Sequence, residues 1–131
     1  MHNIWIADDD EAIRLVLEES LSSAGFKTKS FSSGDDLVSE LESSEPDLII
    51  TDVQMPGMLG YDLLKHITNN YEDLPVIVMT AFADMQAAVE SFGGGAFEYM
   101  PKPFDLEDAI KIVERALEEK PKTKGLKKDT K

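Results

Sequence analysis

The feature that most constrains this chain is an alternation. Five short runs, 3–7 (NIWIA), 27–31 (KTKSF), 47–51 (DLIIT), 76–80 (VIVMT) and 97–100 (FEYM), are each followed by a segment with helical spacing. The first, third and fourth runs are apolar on both faces, the pattern of central parallel strands covered above and below. After Asp10, the residues Ile13, Val16, Leu17, Leu21 and Ala24 recur at three- and four-residue steps, and Gly25 stands where a helix C-cap is expected. A short helix over 35–41 follows the turn Ser32-Ser33-Gly34. The segment 61–70 turns Leu64 and Ile67 inward and ends at Asn69-Asn70, and 84–92 opens with Asp84 as a capping residue. The stretch 106–120 carries Ile110, Val113 and Leu117 on one stripe before Pro121 ends it. Five β-α units in strict order predict an α/β fold: a doubly wound parallel sheet with right-handed crossovers and helices on both faces.

At 131 residues the chain fits one domain with a core of its own. It has no cysteine, which excludes disulfides and thiolate metal sites and suits a cytoplasmic setting. No apolar run approaches the roughly 20 residues of a membrane span, and the first residues lack a signal-peptide core. The net charge of −13 is unevenly spread. Residues 120–131 (KPKTKGLKKDTK) hold six lysines against one aspartate, so residues 1–119 carry seven bases against 25 acids, a net −18. A body that acidic is repelled by phosphate backbones and is a poor nucleic-acid binder. The lysine tail reads as a solvated linker rather than a contact to nucleic acid or membrane. The expected division is a folded unit over 1–119 and a basic tail, or the beginning of a linker, over 120–131. The expectation leans to a piece of a longer protein over a stand-alone one.

In sheets of this kind the binding edge lies outside the carboxyl ends of the strands. Asp8 and Asp9 follow the first strand, Asp52 the third, Thr80 ends the fourth and Lys102 follows the fifth. Carboxylates gathered there raise each other's proton affinity unless a cation compensates. Hard oxygen ligands without histidine or cysteine point to magnesium rather than zinc. His2, at the N-terminus, and His66, within a helix, are surface or structural residues. Magnesium commonly shares its shell with phosphate oxygens, for which Lys102 supplies a second positive charge and Thr80 a hydroxyl. Asp52 is the natural nucleophile, since a carboxylate can attack phosphorus to give an aspartyl phosphate. Asp10 caps the first helix, and with Glu11 it favours that helix's positive end.

The phrases "ADDDEAIR", "LIITDVQMPGMLG", "VIVMTAF" and "GAFEYMPKPFD", in this order over residues 4–117, resemble the receiver domain of bacterial two-component response regulators. The nitrogen-regulation type, which typically precedes a sigma-54-dependent AAA+ ATPase, is the most similar in flavour. The resemblance implies a flavodoxin-like strand order 2-1-3-4-5. It implies that Asp52 accepts a phosphoryl group from a histidine kinase or phosphotransfer protein, with Mg2+ as cofactor. Asp9 is then the main side-chain ligand, Asp8 acts largely through water, and the backbone carbonyl of Gln54 completes the protein's share. Lys102 pairs with the carboxylate and then the phosphoryl group, Thr80 and Tyr99 form a switch pair, and the Lys102-Pro103 bond is cis. The implied domain is a signalling unit that gains and loses its own phosphate, not a turnover enzyme. It controls an effector domain or output protein, with homodimerisation on phosphorylation plausible and no direct role for nucleic acid or membrane.

Two departures stand out. Leu59 replaces the aspartate or asparagine usual in that loop. Gly93, Gly94 and Gly95 crowd the end of the fourth helix, which predicts fraying there at about 1 kcal/mol per interior glycine. Competing readings fare less well. An aspartate-nucleophile phosphohydrolase usually has a second aspartate two positions on, whereas Asp52 is followed by Val53-Gln54. A flavin or nucleotide module wants a glycine- or hydroxyl-rich phosphate loop after the first strand, where this chain has aspartates. A receiver-like module that is never phosphorylated is disfavoured by the intact acid, lysine and threonine set. A stand-alone single-domain regulator is the alternative within the same family.

Overall fold

A computed structural model describes residues 2–55, 60–71, 73–92 and 95–130, with side chains described as far as Glu119 apart from residues 91 and 92. Five strands, β1 (Asn3–Ala7), β2 (Lys27–Phe31), β3 (Leu48–Asp52), β4 (Val76–Ala81) and β5 (Glu98–Lys102), form one parallel sheet in the order β2-β1-β3-β4-β5. The helices are α1 (Glu11–Ser23), α2 (Gly34–Leu41), α3 (Gly60–Asn70), α4 (Met85–Phe92) and α5 (Leu106–Thr130). The three runs that are apolar on both faces are the three inner strands, as their sequence requires.

Strand alternation splits the core in two. Trp5, Ala7, Ile49, Val76 and Val78 face one side with Leu37, Leu63, Ile67 and Ala88 from α2, α3 and α4. Ile4, Ile6, Leu48, Ile50, Ile77 and Met79 face the other, against Leu17 and Leu21 of α1 and Val113 and Leu117 of α5. Local chemistry starts two of the helices, at Asp10 as expected and also at Ser33. Asp10 caps α1 by accepting from the Ala12 N–H, and Ser33 caps α2 by accepting from the Asp36 N–H. Gly25, just past α1, has φ +100°, a left-handed conformation that glycine takes without penalty.

The structure differs from the sequence expectation at several points. β5 runs two residues further, through Pro101 to Lys102. An edge strand needs donors along one side only, so proline is tolerated there. Asp84 does not cap a helix: it closes a single 3-10 turn, Phe82–Asp84, that runs straight into α4. On α1, Val16 is 41% exposed and Leu15 54%, and Ala24 is also exposed. The buried stripe is the narrower Ile13-Leu17-Leu21 row at four-residue steps, because only that row lies over β1 and β3. α5 continues past Pro121 to Thr130. A proline's φ lies in the helical range, so a helix can run on through it, at the cost of one backbone hydrogen bond and crowding with the preceding turn. Leu59, Gly93 and Gly94 lie outside the described residues. Among the described residues no helix is long and apolar enough to cross a membrane.

The α1 packing gives a direct test. Leu17→Ala should lower stability by about 2–5 kcal/mol in urea denaturation, while Val16→Ala should stay within about 0.5 kcal/mol of wild type. Equal losses would mean that Val16 packs inward after all.

Candidate functional site

The parallel register brings the strand ends together: Ala7 pairs with Thr51, Asp52 with Met79, and Ala81 with Lys102. The residues that follow β1 and those that end β3 and β5 therefore share one edge. Asp8 is completely buried, and an unpaired carboxylate could not be held there. Its Oδ2 accepts from Lys102 Nζ at 2.9 Å and its Oδ1 from the Asp10 N–H at 2.9 Å. The same ammonium lies 3.3 Å from Asp52 Oδ1, which also accepts from the Val53 N–H at 2.9 Å. Lys102 thus spans both carboxylates, and the Lys102-Pro103 bond beside it is cis. Asp9 is exposed, yet Asp8, Asp9 and Asp52 each offer an oxygen within 4.8 Å of the others.

The electrostatics follow from this crowding. Burial, then the neighbouring Asp8 charge, push the Asp52 carboxyl above its ordinary 3.8, and Lys102 only partly offsets them. Burial alone would favour a neutral amine at Lys102, but Asp8 and Asp52 together outweigh it and hold the ammonium above its usual range. Three carboxylates against one ammonium leave an excess of negative charge in an all-oxygen donor set. That set suits a hard divalent cation better than zinc.

The other expected site residues are placed nearby. Thr80 is buried near the end of β4, and Gln54 is exposed two residues past Asp52. Tyr99 pairs in register with Val78, and two residues along β4 from Val78 is Thr80, so Thr80 and Tyr99 lie on one face of the sheet. Tyr99 packs against the core on that face, and burial raises its phenol pKa. The structure brings Asp8, Asp9, Asp52 and Lys102 into direct proximity.

Two residues at this edge escaped the sequence expectation. Arg14 Nη1 donates to the Asp8 carbonyl oxygen at 2.7 Å. Its sequence signal was its standing as the lone base in the acidic α1 segment. Gly60 opens α3 against the chain that carries Asp52. A Cβ there would clash with the Asp52 carbonyl oxygen and lie 2.8 Å from Val53 Cα. The Gly60 N–H donates to the Val53 carbonyl at 2.8 Å. Here glycine is required by close approach of backbone rather than by φ.

Two outcomes are expected. Gly60→Ala should cost about 1–3 kcal/mol in urea denaturation, as overpacking does, and should shift the Val53 amide resonance; wild-type stability with an unmoved Val53 signal would contradict the close approach. For Asp52, the folded state binds its proton more tightly than the unfolded chain. The stability this contributes is complete below the ordinary value of 3.8 and is lost as pH rises through the raised folded-state pKa. In EDTA at neutral pH, Asp52→Asn should therefore be more stable than wild type. A urea midpoint below that of wild type would show that the carboxylate is net favourable to the fold.

The model for the response regulator receiver domain matches residues 4–114 of the chain. The DNA-binding transcriptional regulator NtrC of Salmonella typhimurium is 46% identical over 114 residues, covering 87% of this chain and 24% of that protein. The chain thus spans about a quarter of the length of that curated relative. Among solved structures, the apo receiver domain of nitrogen regulatory protein C is 45% identical with a TM-score of 0.81, covering 89% of this chain and 94% of that one. The response regulator TrrA of Thermotoga maritima, solved in complex with Mg2+-BeF, is 28% identical with a TM-score of 0.80, covering 88% of this chain and 99% of that one. With its doubly wound sheet in the order 2-1-3-4-5 and this match along most of its length, the chain belongs to the response regulator receiver domain family.

Proposed function

We propose that Asp52 is the phosphoacceptor of this receiver, and that Asp8, Asp9 and the backbone carbonyl of Gln54 hold Mg2+ beside it. The observation that carries the reading is the convergence of three carboxylates from two strand ends, two of them bridged by the ammonium of Lys102. The Mg2+-BeF complex of the Thermotoga relative supports the choice of metal. When bound, the ion would offset the carboxylates and neutralise charge on phosphoryl oxygens.

The chain's own residues then divide the work. Burial leaves the Asp52 carboxylate poorly solvated and more nucleophilic. The Val53 N–H and Lys102 fix its Oδ1, and with it the plane of the carboxylate. Asp52 attacks the phosphorus of a phosphohistidine; the new O–P bond forms as the P–N bond breaks, and the imidazole leaves. Lys102 stabilises the negative charge that gathers on the phosphoryl oxygens. The added group brings about −1.5 to −2 charge to Asp52, and the Thr80 hydroxyl donates to it. Thr80's displacement opens room toward Tyr99 on the same face, and the shift reaches α4 and β5.

The donor is a histidine kinase or a phosphotransfer protein. Residues 1–119 form the receiver unit and 120–131 a basic tail or linker. The relatives are DNA-binding transcriptional regulators some four times as long as the matched segment, which supports a transcriptional output through an attached sigma-54-dependent AAA+ effector. The phosphorylated form can pair with a second copy to drive that output.

Incubation with acetyl phosphate and MgCl2, followed by intact-mass measurement, tests the assignment. Wild type should gain one phosphoryl group, Asp52→Asn none, and Lys102→Ala should react slower by about two orders of magnitude. Phosphorylation that persists in Asp52→Asn would move the nucleophile elsewhere.

A further inference from the structure

Every polar atom of Asp8 has a partner. Its N–H donates to the Phe31 carbonyl at 3.1 Å, its carboxylate accepts from Asp10 and Lys102, and its carbonyl accepts from Arg14 Nη1 at 2.7 Å. That carbonyl belongs to the peptide unit joining Asp8 to Asp9. Successive side chains of an extended strand project to opposite faces. Yet Asp8 and Asp9 both reach the 4.8 Å cluster with Asp52. The chain has to turn at the peptide between them, and Arg14 holds the oxygen of that peptide.

The choice of partner is informative. Glu11 stands three residues before Arg14 on the same helix and Glu18 four after, both at spacings that favour ion pairs. Among the described residues the half-buried guanidinium makes no ion pair and turns instead to a neutral carbonyl. The α1 backbone supports this geometry, since the Arg14 N–H donates to the Asp10 carbonyl at 3.2 Å and the Asp10 side chain caps the helix.

We propose that Arg14 is a positioning residue that presets the Asp8–Asp9 peptide, so that both carboxylates face the divalent-cation site before the cation arrives. This rests on the reading that those carboxylates hold a divalent cation. Arg14 touches neither the cation nor the phosphoryl group; it acts through the backbone that carries two of the ligands. Outer partners of this kind set ligand orientation and hence affinity.

A pure charge effect predicts the opposite result, because removing a positive group beside a cation site tightens cation binding. The full chain, freed of metal with EDTA and desalted, is titrated with MgCl2 by calorimetry, while amide resonances of Asp8 and Asp9 are followed by NMR. Arg14→Ala and Arg14→Gln, neither able to span to the carbonyl, should weaken Mg2+ about tenfold or more. Arg14→Lys, which keeps a long donor, should recover most of that loss. Circular dichroism without metal confirms folding, and if Arg14→Ala does not fold, Arg14→Gln and Arg14→Lys carry the comparison. Unchanged or tighter Mg2+ binding in Arg14→Gln overturns the proposal. Failure of wild type itself to bind Mg2+ overturns the cation reading, and the positioning role with it, so the two failures are told apart by which protein shows them.

Discussion

The ammonium of Lys102, 2.9 Å from Asp8 and 3.3 Å from Asp52, is the interaction on which this molecule turns. A fully buried carboxylate and a second one beside it cannot both stay ionised without a cation, because burial and mutual repulsion each favour protonation. Lys102 reaches Asp8 across 94 positions of sequence. It does so because β5 is in register with β4, β4 with β3, and β3 with β1. The sheet thus makes the ion network possible, and the network in turn ties the last strand to the first. The compensation is partial. One ammonium among three carboxylates leaves the site short of positive charge, and that deficit is the physical basis for proposing a divalent ion there.

The two faces of the sheet are not equivalent. The face under α1 and α5 is packed by long aliphatic rows from both helices. The opposite face includes Thr80 and Tyr99 in its lining, and over it lies α4, an eight-residue helix. Among the described side chains of α4, Ala88 is buried while Val89 is 42% exposed. In the proposed switch, a charge added at Asp52 would act first on this face, through Thr80.

Much of the fold was legible in the sequence because it is written in periodicity. Runs apolar on both faces named the three inner strands, and helical spacing found all five helices. The acids and the lysine were legible as a site because strand ends in such sheets share an edge. What escaped depends on contacts that periodicity does not encode. β5's extension through Pro101 rests on the strand being an edge. Val16 fits a helical stripe as well as Leu17 does, and only the position of β1 and β3 decides which is buried. Gly60 reads as an ordinary loop glycine until the backbone of Asp52 and Val53 is seen against it. Arg14 stands out in the sequence only as the lone base of the α1 segment, which does not say that it turns toward a carbonyl.

The four consecutive acids Asp8, Asp9, Asp10 and Glu11 show how a fold makes unlike groups from like ones. Asp8 is buried and held on the inner side by Lys102, Asp9 stays exposed at the mouth of the site, and Asp10 gives its carboxylate to the Ala12 N–H. Glu11 occupies the first turn of α1, where the helix dipole favours a negative charge. Four like charges in a row repel, and that repulsion would be a plain cost if the chain stayed extended. The strand end, the turn and the helix start send them instead into different environments, two of them toward the shared site and two toward the helix. The helix start therefore does more than begin a helix. By consuming Asp10 and placing Arg14 one turn on, it fixes the turn that leaves Asp8 and Asp9 side by side. The β1 side of the site and its supporting helix start are one local structure, built from seven residues, Asp8 to Arg14.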